Sequence, residues 1–297
     1  MIIASSLPPF TLNLWQDVQN MLVYGFMRQA LLTGTILSII TGLIGFFVVI
    51  RHQTFAGESL SHVAFTGALG GAVFGLNPLI SLLGTTILVA LAMGGFGERL
   101  RGHDVAIGTV LTWVLGLGVL FLSLFITQAS GTGTGFSGVT VLFGNIMGIS
   151  SEQTITITLI GGIVVLLLML IARPLLFASL DPDVAAARGV PVRMLGLVFM
   201  VLLAVTVSMA TMVVGALMVF ALLLLPAAIA YQVNSRPYVA LVLSAGLAIA
   251  LTWLGITIGF YTSYPISICI SLVSFASYVA VVGGRSGLRR VSFQHNG

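Results

Sequence analysis

The chain has 297 residues, of which 58% are hydrophobic and only 6% charged, with a formal net charge of +4. Soluble domains carry about 25% charged residues, so this composition excludes a water-soluble globular protein and describes an integral membrane protein. All 11 residues counted as Lys or Arg are arginine, and the lack of lysine excludes a Walker A loop, a Schiff-base lysine and a lysine general base.

In chain order, residues 1–17 have no basic n-region and contain Pro8-Pro9, which predicts a retained N-terminus and not a cleaved signal. Residues 15–28 alternate Trp15, Val18, Leu22 and Phe26 with polar neighbours, and predict an interfacial helix within an N-terminal segment 1–29. Apolar runs then predict membrane spans at 30–50, 57–76, 79–96 and 105–127, the last followed by the glycine-rich loop 130–138. The next apolar piece, 139–149, would rise only about 16 Å as a helix against a hydrocarbon core of about 30 Å. It is expected to be a half-length, re-entrant segment packed inside the protein.

A fifth span is predicted at 154–172, ending at Arg173-Pro174, and four more at 194–213, 216–233, 238–258 and 266–283. The expected fold class is therefore an all-α integral membrane protein with about eight or nine spans plus the half-length segment. Its membrane domain covers 30–284, and a polar, basic tail runs from 285 to 297. Nine spans place Arg51, Arg99, Arg101, Arg173, Arg188, Arg193, Arg236, Arg285, Arg289 and Arg290 on one side and only Arg28 on the other. The positive-inside rule makes the rich side cytoplasmic, with the N-terminus outside and the C-terminus inside. Arginines so distributed are topology signals, and no nucleic-acid partner is expected.

Within this apolar chain one stretch carries chemistry: Phe55-Ala56-Gly57-Glu58-Ser59-Leu60-Ser61-His62. On a helix, Glu58, Ser61 and His62 stand at i, i+3 and i+4 and share a face. An acid and an imidazole at the mouth of a membrane helix are costly, so they mark a candidate metal-handling site. The competing reading makes them wet interfacial groups that cap the helix. A second stretch, within a loop at 178–193, opens with Asp181-Pro182-Asp183, a helix cap with proline at N1. Ala185, Ala186 and Ala187 follow, then Gly189 as a stop. Such a short, small-residue helix fits a groove on another protein, or is an ordinary surface loop.

Gly67, Gly71 and Gly75 form a glycine face that predicts close helix packing. Met209 and Met212 are thioethers suited to Cu(I), but read more simply as gap fillers. The single cysteine, Cys269, reads as a packing residue.

The stretch from Phe47 to Arg51 with Phe55–Ala64 resembles the first motif of the ABC-3 family of metal-importer permeases, the membrane subunits of bacterial zinc, manganese and iron uptake systems. Asp104-Val105-Ala106-Ile107-Gly108 is similar to that family's acidic-x-Ala-Ile-Gly motif. The Ser179–Pro191 loop, and Gly215-Ala216-Leu217 with Leu224-Leu225-Pro226-Ala227-Ala228, resemble two further motifs, so the likeness covers about residues 26–284. It implies a type II ABC importer permease of the cobalamin and metal-importer kind, in the bacterial plasma membrane. The expected partners are an identical chain, a cytoplasmic ATPase and an extracytoplasmic solute-binding protein. The transported divalent ion (zinc, manganese or iron) is cargo, and no permanent cofactor is expected. The resemblance also implies that Asp181, Pro182, Asp183, Ala185, Ala186 and Gly189 couple the chain to the ATPase. Two departures stand out: Glu58 replaces the usual aspartate, and Ser263-Tyr264-Pro265 lacks an acid that the family often carries.

Other classes are less well served. A permease for siderophores or cobalamin needs a wide path and no paired ligands. Gly135-Phe136-Ser137-Gly138 has the look of a rhomboid nucleophile, yet no histidine lies in a later span to act as its base. A secondary transporter would dispense with an ATPase altogether.

Overall fold

In lipid, backbone N–H and C=O groups must pair within their own segment, and a helix does this for every apolar run. The computed structural model describes residues 23–96, 103–129, 144–234, 236–262 and 264–294, and among these no strand occurs. The helices are α1 (Gly25–Ile50), α2 (Thr54–Val73), α3 (Pro78–Phe96), α4 (His103–Ala129), α5 (Ser151–Leu180), α6 (Pro182–Ala187), α7 (Val192–Val214), α8 (Ala216–Val233), α9 (Pro237–Thr262) and α10 (Ile266–Gln294). A 3-10 turn at Ile146–Gly148 precedes α5.

Eight of these helices are long and apolar enough to cross a membrane. The helix of similar length that falls outside that set is α2, which carries Glu58, Ser61, His62 and Thr66. Its polarity is tolerated because 14 of its 20 residues are buried, packed by α3, α4, α7 and α8. Successive long helices alternate in direction. Arg51, Glu58, Asp181 and Arg236 therefore fall at one end of the bundle, and Tyr24, Asn145, Gly215 and Tyr264 at the other.

Several boundaries differ from the expectation. Helix α1 starts at Gly25, inside the segment assigned to the interface. Helix α5 starts at Ser151, where Ser150 and Gln153 form a capping box. It also runs through Pro174 to Leu180 instead of stopping at Arg173-Pro174. Proline there removes only the bond to the Leu170 carbonyl, while burial of Leu175, Leu176 and Ala178 holds the next turn in place.

The described part of the half-length segment is not α-helical. Gly144 has φ +75° and approaches the Val213 and Val214 carbonyls so closely that a Cβ would collide with them. The 3-10 turn follows, closed by the Asn145 side chain accepting from the Gly148 N–H at 3.1 Å. Residues 139–143 lie outside the described residues, as do most of the N-terminal segment, the cluster 97–102 and the loop with Gly135-Phe136-Ser137-Gly138.

Two of the three face glycines pack as expected. A Cβ on Gly67 would meet Thr85, and one on Gly71 would meet Ser81, so the glycines bring α2 and α3 together. Gly75 does something else: with φ +69° it ends α2, its N–H reaching Ala72 and that of Leu76 reaching Gly71.

Candidate metal and coupling site

The site begins where α1 stops. His52 N–H reaches the Val49 carbonyl and Gln53 N–H the Val48 carbonyl, the paired bonds of a Schellman turn. Its left-handed position is held by exposed His52 at φ 54°, where glycine is usual. The turn feeds α2 at Thr54, and Glu58 and His62 follow one and two turns later.

Both Glu58 and His62 are half-buried, while Ser59, Leu60 and Ser61 between them are buried. The two side chains have no hydrogen-bond partner among the described residues, so they are open to a ligand. Ser61 is differently placed. It is 1% exposed, and its hydroxyl donates to the Glu58 backbone carbonyl at 2.7 Å. Among the described residues, no three His, Cys, Asp or Glu side chains gather to hold a metal ion. Glu58 and His62 are thus two candidate ligands without a third beside them, and Met209 is buried in the core.

At the same end of the bundle lies α6. The Asp181 carboxylate accepts the Val184 N–H at 3.0 Å, with Pro182 in the first turn. The helix ends at Gly189, φ +81°, whose N–H meets the Ala186 carbonyl while that of Val190 meets Ala185. Pro182, Asp183, Val184, Ala186 and Ala187 are exposed, Val184 by 43%. Ala185 is fully buried. It turns toward the body of the chain, while Pro182, Asp183, Ala186 and Gly189 of the same expected set look outward.

Arg51, at the end of α1, reaches this region. Its Nη1 donates to Ser179 Oγ at 3.3 Å, and its guanidinium lies 5.5 Å from the Phe199 ring centroid. Burial lowers its pKa from the usual arginine value. Local spacing carries no sign of this contact, because Ser179 lies 128 residues further on.

At the opposite end, a cleft of about 300 Å³ lies between Gly144, Asn145 and Met147 on one side and Tyr264, Pro265 and Ser267 on the other. Tyr264 and Pro265, from the stretch without an acid, thus border a cleft at the end of the bundle opposite Glu58. The side chain of Asp104 and all of Ser263 lie outside the described residues.

Residues 23–284 match the ABC 3 transport family. The chain belongs to this family of transport permeases. Its relatives include the manganese transport system membrane protein MntC of Halalkalibacterium halodurans, 32% identical over 266 residues and spanning 89% of this chain and 88% of that one. The manganese import system permease protein ScaB of Streptococcus parasanguinis is 29% identical over 84% of this chain and 88% of that one. Among solved structures, PsaBC from Streptococcus pneumoniae in complex with Fab superposes with a TM-score of 0.78, covering 90% of this chain and 94% of that one at 24% identity. That likeness shows a shared fold. The ABC 3 membership agrees with the motif resemblance and with a multi-pass membrane protein, and leaves the rhomboid-like Gly135–Gly138 stretch without support.

Proposed function

We propose that this chain is the membrane-spanning subunit of an ATP-driven importer of divalent metal ions, with manganese as the favoured cargo. The observation that carries the reading is the Glu58–His62 pair, open and half-buried on an otherwise buried helix. The manganese transport relatives support the choice of ion, and a carboxylate suits Mn²⁺ while imidazole also accepts Zn²⁺ and Fe²⁺. In this reading Glu58 and His62 meet the ion in transit and Ser61 steadies the turn that presents them.

Two ligands per chain suit a conduit, since an ion held by a closed four-ligand cage would not leave. A second copy of the chain would complete the coordination. An extracytoplasmic solute-binding protein would deliver the ion, and a separate ATPase would dock on α6 through Pro182, Asp183, Ala186 and Gly189. The absence of lysine is consistent with ATP hydrolysis on that other chain.

The test is uptake by proteoliposomes holding the full chain with its ATPase and binding protein, offered Mn²⁺, Zn²⁺ and Fe²⁺ in turn. ATP-dependent uptake with Mn²⁺ preferred is expected. ATP hydrolysis without uptake of any of the three would overturn the proposal.

A further inference from the structure

A helix-end arginine that serves only as a topology signal needs its charge in water, at the end of a flexible stem. Arg51 does the opposite. Its side chain is turned inward at the end of the bundle that carries α6, and its Nε is buried without a hydrogen-bond partner. Nη1 donates to Ser179, which is in the last turn of α5 and two residues before the α6 cap, Asp181. The guanidinium face lies against Phe199 in the second turn of α7, the helix that follows α6. Gly196, one turn earlier, borders Nη2: a Cβ there would sit 3.5 Å away, and anything larger would crowd it.

Arg51 therefore touches both helices that bracket α6, while its own backbone forms the turn leading to Glu58. No carboxylate pairs with it among the described residues. Gln53, two residues on, also has a buried oxygen, Oε1, without a partner. A methionine of similar length would fill the space without these polar atoms.

From this geometry we infer that Arg51 is a positioning residue, a strut that ties the movement of α6 to the α1–α2 corner and so to the Glu58–His62 pair. The inference rests on the reading of α6 as the ATPase-docking helix. When α6 shifts, Ser179 and Phe199 shift with it, and the guanidinium passes the displacement to the turn at His52. Without the strut, ATP hydrolysis continues but moves the ion-binding helix less.

The experiment measures, on the same vesicles, radiolabelled Mn²⁺ imported and ATP hydrolysed by the full chain assembled with its ATPase and binding protein. Arg51→Met removes charge and donors at nearly constant length; Arg51→Lys restores the charge; Ser179→Ala removes one contact and threatens folding least. The expected result is a fall in ions per ATP of about tenfold for Arg51→Met, within the range of ordinary coupling energies. Partial recovery in Arg51→Lys and a smaller fall in Ser179→Ala are also expected. A merely structural arginine would lower the amount of assembled complex and leave the ratio per complex unchanged. An unchanged ratio in Arg51→Met overturns the inference, as does an unchanged ratio in Ser179→Ala if Arg51→Met does not assemble. In either case normal wild-type import leaves the proposed function standing. Wild-type complex that hydrolyses ATP and imports no divalent ion overturns both.

Discussion

The hydroxyl of Ser61 donates to the backbone carbonyl of Glu58 at 2.7 Å, so the serine of the candidate triad serves the helix while its neighbours face outward. The three positions should then separate on mutation. Glu58→Gln and His62→Ala each abolish Mn²⁺ uptake with the protein still present in the membrane. Ser61→Ala retains most of it, and Glu58→Asp remains active because the carboxylate is kept. Uptake per unit of membrane protein decides. If Glu58 and His62 were only helix caps, their loss would cost about 0.5–2 kcal/mol of stability and spare transport.

Ala185 and Ala186 are adjacent yet differ in burial, the first buried and the second exposed. Ala186→Trp should leave the thermal stability of the chain unchanged while blocking co-purification of the ATPase. Ala185→Trp should instead destabilise the chain, since overpacking a filled site typically costs about 1–3 kcal/mol. Equal stability of the two variants would refute this division of α6.

The contact of Gly67 with Thr85 allows a rescue experiment. Gly67→Ala drives a Cβ into Thr85 and should lower the melting temperature of the detergent-solubilised protein. Combining it with Thr85→Ala removes the obstructing hydroxyl and should recover much of the loss. Strict additivity of the two changes would show that the residues do not meet.

His52 occupies a left-handed backbone position that costs an ordinary L-residue about 1–2 kcal/mol. His52→Gly relieves that cost and is offset in part by the extra freedom of the unfolded chain. A net gain of about 0.5–1 kcal/mol is expected. The same logic makes Gly75→Ala destabilising, because Gly75 has φ +69°. Melting curves of the two variants check the pair of signs.

The arginine bias predicts orientation. A reporter fused after Arg290 should face the cytoplasm, and one inserted near Thr134 should face outside. Finding both on the same side would refute the alternation of nine crossings.

What the sequence revealed was local. Long apolar runs yield the spans, and Asp181-Pro182 announces α6, because a cap and a fixed φ act within one turn. The Ser150–Gln153 capping box was equally local, and would have placed the start of α5. Other features depend on partners distant in the chain. Pro174 reads as a stop until the burial of Leu175 and Leu176 is known. The polarity of α2 is explained only by the helices around it. Glu58 and His62 could be placed on one face by spacing, but that Ser61 sits in the interior and Ala185 faces inward depends on tertiary packing. Arg51 looked like one topology charge among ten for the same reason.

Helix α5 has 30 residues, about 45 Å at 1.5 Å per residue and so longer than the roughly 30 Å hydrocarbon layer. Because it continues through Pro174, one helix runs from Ser151 to Leu180 and hands over to α6 at Asp181. A rod of that length acts as a lever: tilting it by about 5° around its far end sweeps the tip through roughly 4 Å. That distance is comparable to one turn of helix. If α6 is the docking helix, small rocking of α5 would become a large excursion of α6, and a push on α6 would be geared down, with greater force, on its way in.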